Sequence, residues 1–230
     1  VIDVPALAEV AHKHDAMMCI DNTWSAGHYF KAFEHGCDVS IQAATKYMVG
    51  HSDAMLGTIS TTKEIWPGFR AAYEELGQCA GPDDLYLCLR GIRTLDVRLE
   101  RHMKNALVVA EWLEAQDEVE EIFYPALASS PGHALWKRDF TGASGLLSMW
   151  LAPKGEKALA AMIDGFELFG LGASWGGYES LVLPFDPSKY RSATPWTRPG
   201  MGVRLHIGLE DTDDLIADLK AGLDRFKKAG

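Results

Sequence analysis

The stretch Ala44-Thr45-Lys46-Tyr47-Met48-Val49-Gly50-His51-Ser52-Asp53 sets one lysine where an apolar segment ends and a small, polar one begins. A lysine at the edge of a core costs several kcal/mol to desolvate unless something uses it, and partial burial favours the neutral, nucleophilic amine. Such an amine forms a Schiff base with a carbonyl. That carbonyl belongs either to a coenzyme, pyridoxal phosphate, or to a keto substrate itself, as in class I aldolases. The alternative without chemistry is an ammonium that snorkels to the surface or pairs with a carboxylate.

Asp21 bears on that choice, 25 positions earlier at the end of the apolar run Ala-Met-Met-Cys-Ile. Pyridoxal phosphate is an electron sink only while its pyridine nitrogen stays protonated, and a buried carboxylate opposite that nitrogen keeps it so. Asp21 and Lys46 suit the two ends of that ring, whereas an aldolase-type lysine needs no such partner. Asp21 equally suits an Asx turn made by Asp-Asn-Thr. Thr45 offers its hydroxyl to an anionic phosphate or to an ordinary strand-end hydrogen bond. Gly50 to Asp53 add small residues and backbone N–H groups, without a Walker-type loop. His12, His14, His35 and His51 form no complete ligand set, so no metal is expected.

The elements that would carry these groups follow from periodicity. Pro5 and the run Ala6 to His14 predict a helix that feeds the strand ending at Asp21. A helix-like segment ending at Gly36 leads to a strand from Val39 to Ala44, and a third strand spans Ala54 to Ser60. Continuous apolar strands point to an open parallel-type sheet, with ligands beyond the carboxyl ends of its strands. One long helix is predicted from Pro82 to about Ala115, with Leu85, Leu89, Ile92, Leu99, Met103, Leu107, Ala110 and Leu113 on its buried stripe. Strands then follow at Val119–Phe123, Leu146–Leu151, Ser180–Leu183 and Val203–Gly208, with helices at His133–Arg138, Glu156–Phe166 and Asp211–Lys227. The expected division is an α/β domain over 1–91 and a smaller α/β domain over 92–230.

The 230 residues, 47% hydrophobic, suffice for a real core. With 22 Lys+Arg against 32 Asp+Glu the net charge is −10, which disfavours nucleic acid and anionic membrane surfaces as partners. No apolar run approaches the roughly 20 residues of a membrane-spanning helix. Cys19, Cys37, Cys79 and Cys88 lack CxxC spacing and read as buried free thiols of a cytoplasmic protein. The chain opens at Val1 and enters a helix at once, which suggests the later part of something longer.

Six blocks carry a resemblance: CIDNTW, SIQAATKYMVGHSDAMLGT, LRGIRTLDVRL, GHALWKRDFTGASGL, SWGGYESL and VRLHIGLED. In this order, with few gaps, they resemble the bacterial cystathionine β-lyase branch of the Cys/Met-metabolism family of pyridoxal-phosphate enzymes. The resemblance implies fold type I, as in aspartate aminotransferase, with the C-terminal part of the large domain followed by the small domain. It implies that Lys46 is the Schiff-base lysine and base, that Asp21 faces the pyridine nitrogen and that Thr45 donates to the phosphate. Arg204 matches the arginine that clamps the substrate carboxylate, and Ser174 and Trp175 match residues lining the substrate pocket. Read alone, Arg204 is equally a strand ion pair, and Ser174 with Trp175 a turn beside a buried aromatic.

The implied reaction is cleavage of L-cystathionine to homocysteine, pyruvate and ammonia in methionine biosynthesis, by a cytoplasmic homotetramer. Cystathionine γ-lyases and γ-synthases share nearly every one of these residues, and Trp175 favours the β type. Two departures stand out. Ala43 occupies a position where the broader family often has serine, and the family's N-terminal third has no counterpart here. The other reading is therefore an inert piece that keeps only assembly surfaces.

Overall fold

Asp3 and Pro5 set the start of helix α1 (Val4–Lys13): Asp3 Oδ1 accepts the Ala6 N–H at 3.3 Å, and proline's fixed φ suits a first turn. In this computed structural model, which describes residues 1–229, the chain forms two units. One comprises Val1–Leu99 with Pro131–Ala143; the other comprises Glu100–Ser130 and the residues from Ser144 onward. The first therefore runs past residue 91 and regains a later segment.

In the first unit, Val4 packs with Phe30, Ala32 and Cys37, joined by Met18, Ile20 and Phe140. The apolar run before Asp21 pairs only over Cys19–Asp21, strand β1, which lies parallel to β2 (Val39–Ala43) with Asp21 opposite Ile41. Between them the expected helix is only a 3-10 turn, Ala32–His35, that ends on Gly36 at φ 83°. Strand β3 (Gly57–Thr61) runs antiparallel to β2, with Ala43 opposite Gly57. This corrects the parallel-type sheet expected for the region and the start of the third strand at Ala54. A parallel return needs a crossover element, and residues 44–56 form turns and loop instead, so the chain comes back beside β2 in the opposite sense.

Helix α2 (Trp66–Glu75) buries no residue, which explains why no apolar stripe announced it. The long helix expected from Pro82 is two helices, α3 (Pro82–Ile92) and α4 (Leu95–Glu114). The break has a local cause. The Gly91 carbonyl accepts from Thr94 N at 3.1 Å, Thr94 Oγ1 at 3.2 Å and Arg98 Nη2 at 2.8 Å, which tightens the turn. Leu85, Leu89 and Ile92 on α3 are exposed, whereas Leu99, Ala110 and Leu113 on α4 are fully buried. The stripe belongs to α4. Helix α5 (His133–Asp139) completes this unit.

The second unit holds a five-stranded sheet in the order β4-β5-β8-β7-β6. Its strands are β4 (Val119–Phe123), β5 (Leu146–Leu151), β6 (Gly170–Leu171), β7 (Leu181–Phe185) and β8 (Met201–His206), antiparallel except for the β6–β7 pair. Helix α6 (Glu156–Ile163) and helix α7 (Thr212–Lys228) supply apolar faces, Leu159 and Met162 from one and Leu215, Leu219, Leu223 and Phe226 from the other. Asp211 caps α7 by accepting the Asp213 N–H at 2.9 Å. No described helix is long and apolar enough to cross a membrane. Cys37 and Cys88 are buried free thiols, but Cys19 and Cys79 are exposed, against expectation, because a short strand and an uncovered link carry them.

Candidate cofactor and substrate sites

Asp21 is the last residue of β1, and Lys46 stands three residues past the end of the neighbouring parallel strand β2. A side chain absent from the expected set joins the two ends. Thr23 Oγ1 accepts the Ala43 N–H at 2.8 Å and donates to Asp21 Oδ1 at 2.5 Å, while Thr23 N–H donates to the same oxygen at 2.9 Å. The Asx turn is thus present, and it holds the Asp21 carboxylate against the strand that leads to Lys46. Asp21 Oδ2 carries no hydrogen bond among the described residues. The Lys46 side chain is half-buried, with its backbone in a turn closed by Lys46 N–H to Ala43 O at 3.0 Å and Gly50 N–H to Lys46 O at 2.8 Å.

Thr45 is pinned to Leu56. Its hydroxyl donates to the Leu56 carbonyl at 3.2 Å and accepts the Leu56 N–H at 2.9 Å. In this arrangement its proton goes to the backbone.

The turn carrying Lys46 is clamped from α4. Arg98, 6% exposed, donates through Nη1 to Tyr47 O at 2.8 Å and through Nη2 to Gly91 O at 2.8 Å and Met48 O at 3.5 Å. Burial pulls the guanidinium pKa below its usual value, yet charge-assisted bonds to several carbonyls offset the lost hydration. Two glycines make room for this contact. At Gly50, φ +71°, a Cβ would stand 2.0 Å from Arg98 Nη1, and at Gly91 a Cβ would stand 2.2 Å from the Met48 carbonyl. A cleft of about 160 Å³ lined by His51, Asp53, Leu87, Arg90 and Thr94 lies on the same unit, and none of the expected site residues lines it.

Arg204, Ser174 and Trp175 belong to the second unit. Arg204 sits mid-sheet on β8, opposite Ser148 of β5 and Leu183 of β7. Its Nη2 donates to the carbonyls of Gly172, Ala173 and Ser174 at 3.3, 2.8 and 3.1 Å, and burial lowers its pKa. Nε and Nη1 make no hydrogen bond among the described residues, which leaves N–H groups on either side of Nη2 for an anion. The loop is fastened farther along by Gly176 N–H to His206 Nε2 at 3.1 Å and Leu209 N–H to Tyr178 O at 2.9 Å. Ser180 Oγ accepts the Gly208 N–H at 2.8 Å and donates to Glu210 Oε2 at 2.9 Å. Arg204 is therefore no surface ion pair.

Thr23, Arg98 and His206 escaped the sequence reading. His206 left a trace: it lies two residues after Arg204 on one strand, hence on the same face. Arg98 and Thr23 left only their places in quoted blocks.

A strand-end aspartate tied through a threonine to the strand that leads to a lysine, within an α/β unit, is an arrangement able to hold an aldehyde coenzyme. Comparison with known proteins agrees. Residues 1–224 match the Cys/Met metabolism PLP-dependent enzymes, and the chain belongs to that family. It is 49% identical over 230 residues to cystathionine beta-lyase MetC of Escherichia coli (strain K12), covering 97% of this chain and 58% of that protein. It is 46% identical over 230 residues to cystathionine beta-lyase of Salmonella typhimurium, with the same coverage. The crystal structure of cystathionine gamma synthase from Xanthomonas oryzae pv. oryzae in complex with aminoacrylate and cysteine superposes with a TM-score of 0.90 at 35% identity. That match covers 100% of this chain and 61% of that one, and with the family match it establishes fold type I. The chain spans 58% of the length of the two curated relatives.

Pyridoxal phosphate is the cofactor of this family, and the residues present fit it: a half-buried lysine just past one strand end and, on the adjacent strand end, a carboxylate with one uncommitted oxygen, exposed where a buried one was expected because β1 is short.

Proposed function

We propose that the protein is a carbon–sulfur lyase that uses pyridoxal phosphate to cleave L-cystathionine into homocysteine, pyruvate and ammonia, with water consumed. The observation that carries this reading is the Thr23 link between Asp21 and the strand leading to Lys46, in a chain of this family. Lys46 and Asp21 would hold the coenzyme, one through its amine and the other at the pyridine nitrogen. When bound, pyridoxal phosphate supplies the electron sink that makes a proton on the substrate α-carbon removable.

The rest is the work of the chain's own groups. The Lys46 amine takes the α-proton, and the electron pair left behind expels the sulfur from the β-carbon as a thiolate that leaves protonated. Arg204 meets the substrate carboxylate with an N–H that the loop carbonyls do not use, while Nη2 stays on those carbonyls, so binding substrate need not release the loop. Ser174 and Trp175 line the pocket. Thr45 reaches the phosphate after giving up its bond to Leu56. We further propose a homotetramer in the cytoplasm, as the family resemblance of the sequence implies.

A second reading, γ-elimination or γ-replacement, has support in the similarity to a cystathionine γ-synthase structure. Product analysis separates the two. Incubation of the pyridoxal-phosphate-loaded protein with L-cystathionine should release pyruvate; 2-oxobutyrate as the sole keto acid would assign the γ type instead.

A further inference from the structure

His206 is 1% exposed, and its Nε2 lies 3.1 Å from the Gly176 nitrogen and 3.2 Å from the Gly177 carbonyl. One ring nitrogen cannot accept from the first and donate to the second. A backbone N–H can only donate, so the Gly176 contact gives Nε2 the lone pair and leaves the proton to Nδ1, with the Gly145 backbone among the groups facing the ring. The groups facing the ring are His102 on α4, with ring centroids 5.1 Å apart, Arg204 on the same strand, and the backbone at Gly145, Gly176 and Gly177. Burial, aided by His102 and Arg204 and opposed by the Gly177 and Gly145 backbone, brings the ring's pKa down to about 3, so the ring is neutral across ordinary pH.

The loop is thereby held at two points. Arg204 grips the carbonyls of Gly172 to Ser174, and the ring of His206 receives the N–H of Gly176, whose φ of +86° suits glycine. Trp175 is the one residue between these two anchors.

We propose that His206 is a positioning residue for the substrate pocket: as the Nδ1–H tautomer it latches Gly176 through Nε2 and so fixes where Ser174 and Trp175 stand beside Arg204. This rests on reading those three as the substrate-binding group. His206 touches no substrate. It acts through the loop.

Two substitutions separate the latch from mere core filling. In His206→Gln the side-chain amide oxygen reaches the level of Nε2, whereas in His206→Asn it reaches only that of Nδ1. Long-range ¹H–¹⁵N spectra of the protein should show a neutral Nδ1–H imidazole for His206 that does not titrate between about pH 5 and 8. Loss of one such hydrogen bond is worth about tenfold. The Asn variant should therefore exchange its Gly176 amide about tenfold faster and show KM for L-cystathionine about tenfold higher, with kcat within roughly threefold. The Gln variant should recover most of both, with unchanged far-UV circular dichroism in each. An Nε2–H tautomer, equal behaviour of Asn and Gln, or an unmoved KM despite faster exchange would overturn the proposal. A wild-type protein with the expected tautomer and a protected Gly176 but no keto-acid release would remove the lyase reading alone, because tautomer and exchange are read without substrate.

Discussion

The turn that carries Lys46 is held by a buried cation: Arg98 donates to Tyr47 O, Met48 O and Gly91 O and takes no part in the chemistry proposed for its neighbour. The loop that carries Ser174 and Trp175 is held by Arg204 on three carbonyls and by His206 on one N–H. In the first unit clamp and reactive group are separate residues, so each can be removed with the other intact. In the second, Arg204 is both clamp and candidate ligand. Loss of Arg98 should therefore appear in stability before activity, and loss of Arg204 in substrate affinity.

The largest expected effect is that of Lys46→Ala, which removes both the coenzyme attachment and the proton acceptor. Turnover of L-cystathionine should fall by about 10⁴-fold, with the thermal midpoint close to wild type. Residual turnover within tenfold of wild type would break the comparison at its first term. Next comes Arg98→Met, which leaves the Tyr47 and Gly91 carbonyls without this donor in a buried setting. Urea unfolding should show a loss of about 3 kcal/mol. Gly91→Ala tests the same clamp from the other side, because a Cβ there meets Met48 O at 2.2 Å and Val49 O at 2.3 Å, both backbone atoms. A loss of about 2 kcal/mol is expected.

Arg204→Lys keeps a charge but loses the planar fork that serves loop and carboxylate together, so KM should rise about tenfold with little change in unfolding free energy.

A pH limb tests the second region separately. His206 has an ordinary pKa of 6.5 when unfolded and about 3 when folded, so below pH 6.5 the unfolded chain takes up a proton that the folded one refuses. The ring's contribution is full above pH 6.5 and lost as pH falls from there toward 3. Stability measured at pH 7 and pH 4 should drop less in His206→Gln than in wild type, since glutamine has no charge to acquire. Equal drops would contradict the neutral-ring account.

How much of this could be read from sequence differs between the two regions for a physical reason. The strand ends that carry or precede Asp21 and Lys46 are legible because they close short apolar runs. Thr23 was hidden by its own plausibility as part of an Asx turn, which it forms while also linking two strands. Arg98 lies 52 positions after Lys46, in a helix whose apolar stripe drew attention to its neighbours. The break between α3 and α4 depends on what reaches the Gly91 carbonyl, which periodicity does not record. The direction of β3 depended on residues 44–56 forming turns, a choice that composition alone did not decide.

Borohydride reduction followed by peptide mass spectrometry tests most directly whether Lys46 is the coenzyme's attachment point. Protein loaded with pyridoxal phosphate and reduced should carry one pyridoxyl group, on the peptide that contains Lys46. Bound coenzyme with Lys46 unmodified, or with the label on another lysine, would contradict it.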